Sequence, residues 1–92
     1  MAIFDLQNRV AFVTGGNGGI GLGMAKGLAG AGASIVIAGR NKAKAQSALS
    51  ELRSLGAPAE FVDLDVLDET SCHQAIQNAV ERFDRLDILV NN

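Results

Sequence analysis

Apolar and polar positions along the chain alternate between two kinds of pattern. Residues 9–14, RVAFVT, form a short apolar run that ends in glycines, as expected of a strand buried on both faces. From Ile20 to about Ala31, the residues Ile20, Met24, Ala25, Leu28 and Ala29 recur at helical spacing, and Gly30 and Gly32 close the helix. Residues 34–38, SIVIA, predict a second buried strand rich in β-branched side chains. Asn41 is a suitable N-cap for a second helix with the stripe Ala45, Ala48, Leu49, Leu52 and Leu55, closed by Gly56 and Pro58. Residues 60–64, EFVDL, predict a third strand. Asp68 then caps a third helix along Cys72, Ala75, Ile76, Ala79, Val80 and Phe83, and residues 87–90, DILV, predict a fourth strand.

The order is β-α-β-α-β-α-β with short connections and no internal repeat or linker. Strict alternation of this kind predicts an α/β unit built on a parallel sheet.

Composition narrows the function classes. The 92 residues allow one small domain or part of a larger one, and 48% apolar with 20% charged residues places the chain among globular proteins. A net charge of −2 with scattered basic residues, and four Phe without Trp or Tyr, gives no basis for nucleic-acid binding. The single cysteine, Cys72, excludes an internal disulfide framework. The start MAIFDLQNRV lacks the features of a signal peptide, and no apolar run approaches the roughly 18 residues of a membrane span. A soluble, cytoplasmic setting without a membrane partner is expected.

The chemistry concentrates in residues 14–21, TGGNGGIG, between the first strand and the first helix. Glycines let the backbone approach a ligand closely, and a helix N-terminus favours an anion such as a pyrophosphate. Gly16, Gly18 and Gly21 fit G-x-G-x-x-G, the general dinucleotide fingerprint. Thr14, Gly15, Gly19 and Gly21 fit T-G-x-x-x-G-x-G, the pattern of the short-chain dehydrogenase/reductase family, which the chain resembles. The second register is preferred because it sets Gly15 directly after the strand and Gly19-Ile20-Gly21 at the helix start. Asn17 lies within the same turn.

The resemblance extends along nearly the whole chain. Asp65-Val66 is similar to the family's acidic residue and valine beside the adenine, and Asn91-Asn92 to the first half of its N-N-A-G motif. It implies an incomplete, Rossmann-like doubly wound parallel sheet of four strands and three helices, in the order 3-2-1-4, with residues 1–92 forming the first part of one dinucleotide-binding domain. It also implies a hydride transfer between nicotinamide and a carbonyl or secondary alcohol, and a homo-oligomeric parent. The family's catalytic Ser, Tyr and Lys lie beyond N-N-A-G, so no catalytic residue maps onto this chain, and the 92-residue segment alone is expected to be inactive. Since the sequence stops inside that motif, it is expected to be a portion of a longer protein. By itself it is expected to be marginally stable, with an open strand edge and too few helices on one face.

Cofactor choice is read at the end of the second strand. An acid about 20 residues beyond the glycines selects the ribose 2′-hydroxyl of NAD. Here the residues are Gly39, Arg40 and Asn41, and a guanidinium suits a 2′-phosphate, so NADP(H) is expected over NAD(H).

Other constellations are weaker. Cys72 and His73 are adjacent, so a helix turns them about 100° apart, and they read as a packed thiol and a surface imidazole. Asp63 and Asp65 lack a third ligand, and no metal site is expected. Glu81, Arg82, Asp84, Arg85 and Asp87 read as a solvated helix end and turn. Two alternatives remain: a non-catalytic dinucleotide-binding or sensing module, and another α/β nucleotide binder such as an S-adenosylmethionine-dependent methyltransferase.

Overall fold

The computed structural model describes residues 5–15 and 18–91. Strand β1 (Val10–Thr14) leads to helix α1 (Gly19–Gly30), then β2 (Ser34–Gly39), α2 (Lys42–Ser54), β3 (Ala59–Asp63), α3 (Glu69–Phe83) and β4 (Ile88–Val90). The four strands form one parallel sheet in the order β3-β2-β1-β4. This is the predicted incomplete Rossmann-like α/β fold, with element ends shifted by a residue or two.

The apolar runs are continuous because both faces of the sheet are covered. Ala11, Val13, Ile35, Ile37 and Ala59 face Ala25 and Ala29 of α1 and Ala45, Ala48, Leu49 and Leu52 of α2. The alternate positions Val10, Phe12, Val36, Ala38 and Val62 turn to the opposite face, where Ala75 and Ala79 of α3 meet them. Each strand thus divides its side chains between two cores with a period of two.

Three expectations about burial require correction. In α1 the buried side is Gly21, Ala25 and Ala29, while Ile20 is 76% exposed and Met24 is also exposed. Small residues bring the helix close to the sheet, and the larger apolar ones flank that contact. Leu55 is exposed because it follows the last residue of α2. Ile76 and Val80 of α3 are exposed because, among the described residues, no second helix packs beside α3 on its face of the sheet.

The group at 81–87 is not simply solvated. Arg82 pairs with Glu60 of β3 at 3.4 Å, and Asp87 ties the start of β4 to β1 through the Val10 N–H at 2.9 Å. The first N–H of an inner strand needs an acceptor, and the Asp87 carboxylate supplies it. Among the described residues, no helix is long and apolar enough to cross a membrane.

Candidate functional site

The carboxyl ends of all four strands share one edge of the sheet, where open α/β sheets bind ligands. Thr14 ends β1 and Gly15 follows it, and Gly18 caps α1, which opens with Gly19, Ile20 and Gly21. Arg40 and Asn41 follow β2, Asp65 and Val66 follow β3 by one residue, and Asn91 follows β4. Gly16, Asn17 and Asn92 lie outside the described residues.

Among the described residues of the glycine turn, Gly15 at φ +66° and Gly19 at φ +56° are left-handed. A side chain in that conformation costs about 1–2 kcal/mol. The Gly15 N–H donates to the Ala38 carbonyl at 3.1 Å, which fixes the turn against the end of β2. Gly18 is the N-cap of α1 and offers no side-chain hydrogen bond, and the first turn contains no acid. In contrast, α2 and α3 are capped by Asn41 and Asp68. Among the described residues, no side chain caps the first N–H groups of α1, and the positive end of the helix dipole lies behind them. A Cβ built on Gly18 or Gly19 meets nothing within 4 Å, so the space before the turn is open.

Beside the turn lies a cleft of about 250 Å³ whose lining includes Thr14, Val66 and Asn91, over an apolar base of Phe12, Leu64 and Leu89. Thr14 Oγ1 lies 3.3 Å from the Val90 carbonyl and 3.4 Å from Asn91 Oδ1, so β1 orients the side chain that follows β4. The loop after β3 is closed by its own polar groups. Asp65 Oδ1 accepts from the Leu67 N–H at 3.0 Å, the Asp65 carbonyl accepts from the Asp68 N–H at 3.0 Å, and the Asp65 N–H donates to Ser71 Oγ at 2.9 Å. That closure leaves Val66 65% exposed at the rim of the cleft.

Arg40 stands apart from this group, in a second cleft of about 360 Å³ with Lys42, Phe61, Asp63, Asn78 and Arg82. Asn41, between the two cations, turns its side chain to its own helix and accepts from the Lys44 N–H at 2.9 Å. The predicted residues thus fall into three neighbouring pieces of one edge: the glycine turn, the Thr14–Val66–Asn91 cleft and the Arg40 cleft.

Sequence reasoning missed Ser71 and Lys42. Ser71 is the third residue of α3, from which a side chain can reach back past the cap, and that spacing after Asp68 was an available signal. Lys42 opens α2, and a cation at a helix start without an acid nearby is itself unusual. Cys72 is half-buried with Sγ 3.8 Å from the Asp65 carbonyl, whereas His73 is exposed and faces Glu69 at 3.8 Å, so the two do not act together. Among the described residues, no three His, Cys, Asp or Glu side chains gather into a metal-binding group.

Comparison with known proteins follows the same lines. Residues 9–92 match the short chain dehydrogenase family. A 2,5-dichloro-2,5-cyclohexadiene-1,4-diol dehydrogenase of Sphingobium indicum is 42% identical over 86 residues, which cover 94% of this chain and 34% of that protein. The crystal structure of a dehydrogenase/reductase from Sinorhizobium meliloti 1021 superposes with a TM-score of 0.91 at 42% identity, over 96% of this chain and 35% of the other. A short chain dehydrogenase from Burkholderia cenocepacia J2315, crystallised in complex with NADP, gives a TM-score of 0.88 at 40% identity, over 95% and 36% of the two chains. The chain therefore spans about a third of the length of the relatives it matches.

Proposed function

Because the chain belongs to the short-chain dehydrogenase/reductase family, we propose that it forms the cofactor-binding front of an NADP(H)-dependent oxidoreductase. The observation that carries this reading is the uncapped start of α1 behind a left-handed glycine turn, at the strand edge that also holds Thr14, Val66 and Asn91. When bound, the nicotinamide would give or take a hydride, exchanging it with a carbonyl or secondary alcohol of a small-molecule substrate.

The residues fit such a group. The open space before Gly18 and Gly19 admits a pyrophosphate against the first N–H groups of α1. Asp65 retains a second carboxylate oxygen beyond the one used by the Leu67 N–H, and it is the acceptor proposed for the adenine amino group. Val66 would pack beside the ring, and Asn91, steadied by Thr14, would line the inner part of the cleft. Arg40 is the proposed reader of a 2′-phosphate, consistent with the absence of an acid after β2. The NADP complex of the Burkholderia relative supports the same cofactor here. A cytoplasmic, homo-oligomeric parent completes the proposal, with residues 1–92 as the N-terminal part of its dinucleotide-binding domain.

Titration of the full-length protein with NADPH, NADH and S-adenosylmethionine tests this reading. The expected result is saturable binding of NADPH, weaker binding of NADH and none of S-adenosylmethionine. Binding of the methyl donor alone, or of no nucleotide, would refute it. Full NADPH binding without turnover on any carbonyl or alcohol would favour the sensing-module alternative.

A further inference from the structure

Polar groups around the start of α3 converge on one residue, Asp65. Its N–H donates to Ser71 Oγ at 2.9 Å, and its carbonyl accepts from the Asp68 N–H at 3.0 Å and lies 3.8 Å from Cys72 Sγ. Its Oδ1 accepts from the Leu67 N–H at 3.0 Å. Of the polar atoms of Asp65, Oδ2 alone has no partner among the described residues.

The cap of α3 does not require this arrangement. Asp68 Oδ1 already accepts from the N–H groups of Thr70 and Ser71 at 3.0 and 3.4 Å. In a capping box the side chain of the third helical residue returns to the N-cap N–H. Here the third residue is Ser71, and its hydroxyl passes over the Asp68 N–H to take that of Asp65 instead. The Asp68 N–H goes to the Asp65 carbonyl. Both departures from the common pattern end on the same residue.

Asp65 is also where the chain leaves the sheet. The Leu64 N–H makes the last bond to β2, donating to the Gly39 carbonyl at 2.8 Å. Main-chain groups alternate in direction along a strand, and β3 is an edge strand, so the next N–H finds no strand to accept it. Ser71 supplies the acceptor. Its helix is anchored in the core by Ala75 and Ala79. The position of α3 is thereby passed to the Asp65 main chain, and the Leu67 N–H holds one carboxylate oxygen. The other oxygen is left with a defined place next to Val66 at the rim of the cleft.

We infer that Ser71 is a positioning residue for base selection: it holds the Asp65 main chain so that Oδ2 keeps its aim at the 6-amino group of adenine. The inference rests on the dinucleotide reading above, in which Asp65 accepts from that amino group. Ser71 itself does not touch the nucleotide. A carboxylate in a fixed place accepts from an amino group and repels a carbonyl oxygen. A loosened one turns away, and the distinction between the two bases fades.

The test uses the full-length protein and whichever of NADP⁺ and NAD⁺ the wild type binds more tightly. Its dissociation constant is compared with that of the hypoxanthine analogue, in which an oxygen replaces the amino group, for wild type, Ser71→Ala and Ser71→Thr. The wild type should prefer adenine by about tenfold or more, the loss of one hydrogen bond to a charged acceptor. Ser71→Ala should reduce that preference to about threefold or less, and Ser71→Thr, which keeps the hydroxyl, should restore it. Partial unfolding weakens both ligands equally and leaves their ratio unchanged, so the ratio separates positioning from stability. A wild-type ratio in Ser71→Ala, or a Ser71→Thr variant that behaves as Ser71→Ala, would overturn the role of Ser71 and leave the Asp65 contact standing. A wild type that binds both bases equally would overturn the Asp65 contact, and Ser71 with it. Binding of neither dinucleotide would overturn the whole reading.

Discussion

Asp87 and Val10 hold each other by two hydrogen bonds: the Val10 N–H donates to the Asp87 carboxylate at 2.9 Å, and the Asp87 N–H donates to the Val10 carbonyl at 3.0 Å. Together they fix the register of β4 on β1 at the edge of the sheet opposite the glycine turn. Arg85 grips the same carboxylate with Nε and a terminal nitrogen, both at 2.8 Å. Arg9 is more distant at 3.5 Å. The Arg85 hydrogen bonds, followed by the Val10 N–H, lower the Asp87 carboxyl from its ordinary 3.8 to about 2.

A carboxyl with a lowered folded-state pKa contributes stability that is complete above the unfolded value and is lost as the pH falls through the folded one. Urea midpoints of the wild type should therefore decline between about pH 4 and pH 2 in part through Asp87. Asp87→Ala should be less stable at neutral pH and lose less between those limits. A variant whose midpoint falls as steeply as that of the wild type would show that other carboxylates carry the acid response.

Substitution of Gly18 and Gly19 separates backbone strain from ligand exclusion. Gly19→Ala places a side chain at φ +56° and should cost about 1–2 kcal/mol of stability. Gly18 is extended with φ −179°, so Gly18→Ala should stay within about 1 kcal/mol of wild type. Both introduce a methyl group into the open space before α1, and both should weaken dinucleotide binding by more than about tenfold, a loss of at least 1.4 kcal/mol. Chemical denaturation and titration with NADPH measure the two effects independently. Unchanged affinity in Gly18→Ala would remove the pyrophosphate from this turn.

The face of α1 offers a sharper contrast. Ala25 is fully buried against the strands, whereas Met24 is exposed. Ala25→Leu should overpack the helix–sheet contact at a cost of about 1–3 kcal/mol. Met24→Ala should remain within about 0.5 kcal/mol of wild type. Urea midpoints of the two variants decide the point, and a larger loss for Met24→Ala would restore the larger side chains to the core.

This contrast also shows where the sequence could be read and where it could not. The strands were legible because Val, Ile and Phe in short runs before glycines have few other uses, and the order β3-β2-β1-β4 matches the family pattern. The caps Asn41 and Asp68 were legible from residue type and position, and both accept first-turn N–H groups. The buried face of α1 was legible only in part, because helical spacing picks out Ala25 and Ala29, which are buried, together with Ile20 and Met24, which are exposed, and it passes over Gly21. The Asp87 anchor depends on a partner 77 residues away, and neighbouring charges masked it as a solvated turn. Asp65, Val66 and Asn91 reach the expected edge, but the Ser71 hydroxyl that steadies Asp65 comes from the next helix.

Loss of the α3 cap should reach the site through that loop. Asp68 accepts from Thr70 and Ser71 at 3.0 and 3.4 Å, and its N–H closes on the Asp65 carbonyl. Asp68→Ala should cost about 1 kcal/mol of stability and also weaken dinucleotide binding, because Asp65 and Val66 lose their support. Equal stability loss with unchanged affinity, measured by denaturation and titration, would separate the loop from the cofactor.

A crystal structure of the full-length protein with bound NADP⁺ tests the central claim most directly. The account places the pyrophosphate within about 3 Å of the N–H groups that open α1 and the 2′-phosphate against Arg40. A dinucleotide bound away from the glycine turn, or with its 2′-phosphate remote from Arg40, would contradict it.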